Sequence, residues 1–182
     1  REGLSMRSDG FVPLVELLQR PDFRGVGIED IEALVAADAK HRYTLRVEDG
    51  IYYIAAHQGH SISVPDLPLQ QILNPAQAPV CIHGTFYRFW GEIRRTGLSP
   101  MARQHIHFAT HPPDHLGMIA GMRAHAEVLI HLDVPRCLAD GMPLFLTGNA
   151  VILTTGFQGI VPPDYFLYVE DAKTHHRLWP PQ

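Results

Sequence analysis

The chain has 182 residues, 46% of them hydrophobic and 19% charged, which is enough apolar material to bury a core and excludes disorder on composition. A formal charge of −4, with 15 Lys and Arg against 19 Asp and Glu, excludes whole-chain attraction to nucleic acid but leaves room for a local phosphate pocket. Cys81 and Cys137 are too few for a disulfide scaffold and read as buried small hydrophobes of a reduced, intracellular protein, cytoplasmic or nuclear.

The predicted elements follow in chain order. A turn at Ser8-Asp9-Gly10 precedes Val12, Leu14, Val15, Leu17 and Leu18, which lie close to one face of a short helix with Pro13 in its first turn. A second helix is predicted from Ile28, Ile31, Leu34 and Val35, with acidic residues early and Lys40, His41 and Arg42 at its end. Alternating runs on either side of Glu48-Asp49-Gly50 signal a β-hairpin. Two helices followed by a hairpin is the order of a winged-helix module. The stretch VPDLPLQQILNPAQAP reads as a connector with one turn of helix, so a domain boundary is expected between residues 66 and 67. Beyond it, PVCIHGTF, QHIHFAT, AEVLIHLDV, MPLFLTG and AVILTTG are short β-rich runs, and FYRFWGEIRRTGL reads as one helix. The fold class is therefore α+β, with a mainly antiparallel sheet and few helices in residues 67–182. No stretch reaches the ~18 consecutive apolar residues of a membrane span, and the first residues carry no apolar signal region.

Twelve histidines are the first compositional feature with chemical potential. In a strand, His105 and His107 would share a face and, with His111, His115 or His83, could ligate a metal, but neither a third ligand at a recognisable spacing nor a Cys pair supports this. Strand histidines more often donate hydrogen bonds from a cleft wall, and no metal is expected. At the end of CIHGTF, Gly84 would let a ligand approach the backbone beside His83 and Thr85. Arg94, Arg95, Arg103 and Arg123 bring guanidinium forks suited to phosphate. The chain has no Walker, GxGxxG, HExxH or GxSxG signature. These residues describe a two-part protein with a His- and Arg-lined site, and they do not name a reaction.

Taken in order, DGFVPLVELL, QGHS, HGT, GL followed by MARQHIH, GMRAHAEVLIHLD, ADGMPLF, GNAVILT and VPPDYF resemble the KptA-type RNA 2′-phosphotransferases, with wording nearer the eukaryotic members. The resemblance spans almost the whole chain. It implies a winged-helix lobe on the RNA side (residues 1–66) and an ADP-ribosyltransferase-like, NAD+-binding lobe (residues 67–182), working as a monomer away from membranes. The implied activity removes the internal 2′-phosphate of spliced tRNA through an ADP-ribosylated RNA, releasing nicotinamide and ADP-ribose 1″,2″-cyclic phosphate, with NAD+ consumed as a substrate. By the same resemblance His83, Gly84, Thr85, His107, Arg123 and Val151 belong to the NAD+ site. Arg103 is the essential arginine that grips the RNA phosphate, and Gln58, His60 and Ser61 contact that phosphate as well. Val151 stands where protein-modifying relatives often carry a catalytic Glu, which argues against side-chain modification.

Departures from the family pattern are equally informative. An LSKxLSxxLRH-like helix supplying a catalytic Arg-His pair is expected just before residue 1, and Ala55 stands where a third catalytic residue, an arginine, is expected. Ala150 replaces the usual Gly after Asn149. An Arg→Ala replacement at position 55 inside intact flanking motifs fits a single edit that stops turnover, and a natural degenerate member is the other explanation. The alternative functions are ADP-ribosyl transfer to terminal phosphates of nucleic acid, or a catalytically impaired binder of NAD+ and RNA.

Overall fold

The computed structural model describes residues 3–113, 120–122 and 125–180. The chain divides into two compact units, Arg1–Pro68 and Leu69–Gln182. In the first unit, β1 (Val12–Pro13) leads into α1 (Leu14–Leu18), followed by α2 (Ile28–Ala37), β2 (Tyr43–Glu48) and β3 (Ile51–Ala56). The three strands form an antiparallel sheet in the order β1-β3-β2. The helix predicted from Val12 therefore starts two residues late: Val12 and Pro13 pair with Ile54 and Tyr53 at the sheet edge, where a residue without an N–H is tolerated. Helix α1 buries Leu14 while Val15 faces solvent.

The α2 prediction holds at its start and fails at its end and in which residues it buries. Gly27 N–H donates to Asp30 Oδ2 at 2.8 Å, closing the first turn, yet only Ile31 of the four expected face residues is buried and Leu34 is 53% exposed. Lys40, His41 and Arg42 lie beyond the helix, because Asp38 at its C-terminus accepts from the Arg42 backbone at 2.6 Å and from its guanidinium at 2.8 Å. That fork holds the Asp38 carboxyl at about 2. The hairpin is as expected: Glu48 pairs with Ile51, and Asp49 and Gly50 both take left-handed φ (50° and 78°), as a two-residue I′ turn requires. Leu14, Ile31 and Ile54 make the small core of this unit.

The second unit is built on an eight-stranded antiparallel sheet. Its elements are β4 (Gln70–Gln71), β5 (Ile82–Thr85), α3 (Tyr87–Thr96), β6 (Ile106–Ala109), β7 (Val128–Leu132), α4 (Val134–Ala139), β8 (Phe145–Leu146), β9 (Val151–Thr154), β10 (Phe166–Asp171) and β11 (Arg177–Trp179). The strand order is β11-β10-β7-β5-β6-β9-β8-β4. The connector thus contributes an edge strand, β4, paired with β8, and its single turn is a 3-10 turn at Pro75–Gln77. Two residues carry no readable period, which is why this strand escapes sequence analysis. One face of the sheet holds the large core around Phe108, Ile130, Ile152 and Leu144. The other holds a smaller cluster of Ile82, Ala109, Met122 and Leu129. Helix α3 is fixed at its start by Glu127, which accepts the Tyr87 N–H at 3.0 Å, and by Asp171, which accepts the Tyr87 hydroxyl at 2.5 Å. Among the described residues no helix is long and apolar enough to cross a membrane.

The turn between β8 and β9 explains the sequence departure at position 150. Ala150 has φ +57°, its N–H donating to Thr147 O at 3.1 Å, while the Thr147 hydroxyl is hydrogen-bonded at Val151. A left-handed alanine costs backbone energy that glycine does not. Ala150→Gly is expected to raise stability by about 0.5–1 kcal/mol, read as a melting temperature higher by roughly 2–4 °C. An unchanged or lower midpoint would refute this.

Candidate functional site

Strand β5 pairs with β7 over four residues and β6 pairs with β9 over four, but β5 and β6 share a single pair, Ile82↔Ala109. The two ladders diverge beyond that pair, so the centre of the sheet is split at the end where Gly84, Thr85, Ile106 and His107 lie. His83 bridges the split: its Nδ1 donates to the His107 carbonyl oxygen at 2.9 Å, and its ring meets Phe108 edge-on at 5.8 Å. A carbonyl can only accept, so this contact fixes the proton on Nδ1.

His107 is 7% exposed, and its Nε2 has no hydrogen-bond partner among the described residues. Burial is the main cause that pushes its pKa down to about 4, with the Arg103 guanidinium, His105 and His83 acting in the same direction. The ring is therefore neutral at pH 7. Arg103 closes a turn in which its N–H donates to Pro100 O at 3.0 Å; the residue is exposed, and its charge lies near enough to act on the His107 ring. Among the described residues it makes no ion pair. A neutral, enclosed imidazole with one unanswered ring nitrogen beside an unpaired guanidinium is suited to a ligand carrying both a hydroxyl or amide and a phosphate.

Other expected site residues play different parts. A Cβ on Gly84 would lie 2.5 Å from Met122 Cγ and 2.8 Å from Ala126 Cβ, so the absent side chain makes room for Met122 and Ala126 on that side of the strand. The glycine within the strand did signal a close approach, and the partner is protein. Val151 is completely buried, its Cγ1 3.0 Å from a Cβ placed on Gly121; it supports that segment from below and presents no surface to a ligand. Thr85 is buried, and its carbonyl accepts from Glu127 N at 2.8 Å. Met122 and Gly121, passed over in the sequence except as part of a motif, are what cover Gly84 and Val151. Arg123 and His115 lie outside the described residues.

His105 precedes β6, so the H-x-H pair does not share a strand as expected. Among the described residues no group of three or more His, Cys, Asp or Glu is arranged to hold a metal ion.

The remaining candidates belong to the first unit. Ala55 lies opposite Thr44, which places it on the sheet face of Tyr53 and His57, away from the core residue Ile54; the Thr44 hydroxyl and His57 Nε2 are 2.8 Å apart. Gln58, His60 and Ser61 follow in the loop after β3, Gln58 and His60 half-buried and Ser61 exposed. Two further arginines of this unit are matched by carboxylates: Arg7 pairs with Glu48 at 2.7 Å and Asp9 at 3.0 Å, and Arg46 pairs with Glu48 at 3.2 Å.

His107 gives the protein a pH signature. An unfolded histidine takes up its proton near pH 6.5, whereas in the folded chain uptake waits until about 4. As pH falls between those values the unfolded state binds the extra proton, so stability is lost across this window, by up to about 3 kcal/mol from this group. His107→Asn is expected to flatten the profile of denaturation midpoint against pH between about 6.5 and 4. A variant as pH-dependent as the parent would assign the effect elsewhere.

An α+β chain with a split antiparallel sheet, and with an arginine that makes no ion pair among the described residues near a neutral histidine, has the makings of a phosphate-handling enzyme. A family model described as RNA 2′-phosphotransferase, Tpt1 / KptA family, matches residues 1–156. The chain is 46% identical over 169 residues to the human protein named tRNA 2′-phosphotransferase 1, covering 90% of this chain and 66% of the human one. It is 40% identical over 176 residues to the zebrafish protein of the same name, covering 94% of this chain and 78% of that one. Identity is lower, 33% over 176 residues, to an Agrobacterium fabrum protein named "Probable RNA 2′-phosphotransferase", covering 96% of this chain and 88% of that one. The chain belongs to the RNA 2′-phosphotransferase, Tpt1 / KptA family. It spans just under two thirds of the length of its human relative.

Proposed function

We propose that the protein acts in NAD+-dependent removal of the internal 2′-phosphate from spliced tRNA, releasing nicotinamide and ADP-ribose 1″,2″-cyclic phosphate. The observation that carries this reading is Arg103, without an ion pair among the described residues, near the neutral, enclosed His107 in a chain matched to the family over residues 1–156. NAD+ supplies an electrophilic ribose carbon with nicotinamide as its leaving group. The residues present fit it: the unanswered Nε2 of His107 offers a hydrogen bond to a ribose hydroxyl, and His83, locked by the His107 carbonyl, keeps the split in the sheet at a fixed width.

Arg103 is assigned to the RNA 2′-phosphate. Its planar fork holds two phosphate oxygens and offsets the repulsion between that dianion and the NAD+ pyrophosphate. Gln58, His60 and Ser61 are proposed as further phosphate contacts, and Arg123 as part of the NAD+ site. We assign the first unit to a winged-helix lobe and the second to an ADP-ribosyltransferase-like lobe. The helix pair with its hairpin supports the former, the split antiparallel sheet the latter. We propose that the protein works inside the cell, as a monomer.

Ala55 favours a second reading of the same site: as written, the chain binds NAD+ and 2′-phosphorylated RNA and turns them over poorly. Calorimetry with NAD+ and a 2′-phosphorylated oligonucleotide, run beside an assay of nicotinamide and cyclic phosphate release, tests both. Binding of both ligands is expected. Failure to bind NAD+, or no preference for the 2′-phosphorylated RNA over the same RNA without it, would overturn the assignment.

A further inference from the structure

The turn that presents Arg103 contains an anomaly. Pro100 O accepts the Arg103 N–H at 3.0 Å, which makes Met101 and Ala102 the two central residues of a tight turn. Met101 has φ +56° and Ala102 is not left-handed, so positive φ occurs at the first central position alone, as in a II′ turn, whose first central residue is ordinarily glycine. A methionine held there costs backbone energy. The side chain gives little packing in return: it is 86% exposed, the most exposed of the large hydrophobics among the described residues. Among the described residues its one hydrogen bond is from the Ser99 hydroxyl, which donates to its Sδ at 3.2 Å. Asp49 and Ala150 also carry positive φ, but each sits in a strand-to-strand turn and neither carries a long apolar side chain.

An unbranched, polarisable thioether packs well against a flat aromatic face. The RNA held by Arg103 brings such faces to the turn, since a nucleobase flanks every phosphorylated ribose. From the strained backbone, the exposed side chain and the position two residues before Arg103, we infer that Met101 is a specificity-determining contact that packs on a nucleobase flanking the 2′-phosphate. The inference rests on the functional reading above and adds to it a reason for preferring a stacked, base-bearing strand over a bare phosphate. Met101 touches the base and takes no part in the chemistry.

The test is a binding cycle with the whole chain and a short RNA bearing one internal 2′-phosphate, the same RNA lacking that phosphate, and versions abasic at the flanking nucleotides. Met101→Gly removes both the side chain and the strain. It is expected to raise the melting temperature and to weaken RNA binding by about 3- to 10-fold, the range for partial loss of one apolar contact. NAD+ affinity should stay the same, Met101→Leu should restore RNA affinity, and abasic RNA should bind parent and Met101→Gly alike. Unchanged RNA affinity in Met101→Gly would overturn the inference, and so would equal weakening on intact and abasic RNA or a parallel loss of NAD+ affinity. A parent that does not prefer the phosphorylated RNA counts against the functional reading instead, because the Met101 effect is read on the base. Failure of the parent to bind any of these RNAs overturns both.

Discussion

Ala55→Arg is expected to raise NAD+-dependent release of the internal 2′-phosphate by roughly 10²- to 10³-fold, the size of effect expected when a single preorganised donor to a developing charge is supplied. Position 55 sits near the end of β3, opposite Thr44, on the sheet face away from the small core. It is only 9% exposed, so the arginine stem must pass between neighbours, and its head must reach water or substrate beyond them. That fit costs stability, on the order of 1 kcal/mol, and the melting temperature should fall slightly while turnover rises. Ala55→Lys is the discriminating control. It restores the charge but not the planar fork, and a smaller gain is expected from it. If Ala55→Arg folds, binds NAD+ and still shows the parent's turnover, position 55 is not where activity was lost.

Arg103→Ala in the Ala55→Arg background should reverse the gain, lowering turnover by about 10²- to 10³-fold and removing most of the preference for 2′-phosphorylated over unphosphorylated RNA. No carboxylate holds Arg103 among the described residues, so its removal leaves no stranded protein charge and the fold should keep its stability. His107 supplies an internal control. With the guanidinium gone, one cause that depresses its pKa is lost, and the ring should titrate higher, though burial still holds it below an ordinary histidine. Titration by NMR reads this shift without any turnover. Full phosphate discrimination retained by Arg103→Ala would show that another residue holds the RNA.

Elements with a strong local period or a demanding turn were legible. The Asp49-Gly50 hairpin follows from a turn that needs two left-handed residues, and α3 from a ten-residue segment between a strand and a glycine. Elements defined by partners were not. Val12–Pro13 and Gln70–Gln71 are strands only because another strand lies beside them. The C-terminal β10 and β11, bulged between Val169 and Glu170, were missed as well. The motif points to His83, His107 and Arg103, while the packing of Met122 and Ala126 against Gly84 is visible only in the structure, because a glycine reports that something comes close and not what it is.

By itself, the amino-acid sequence determined the α+β class, the antiparallel character of the second unit, membership of the family and the departures at positions 55 and 150. These depend on residue type and order, which local propensity and turn chemistry translate directly. Only the tertiary structure decided that β5 and β6 part after one pair, that His83 spans the gap to the His107 carbonyl, and that His107 keeps a ring nitrogen unanswered beside Arg103. The gap and the bridge across it come from pairings between residues more than twenty positions apart, and the state of the His107 ring comes from its burial. Charge state and hydrogen-bond satisfaction are set by what surrounds a side chain in space, and no local reading of the chain contains that information.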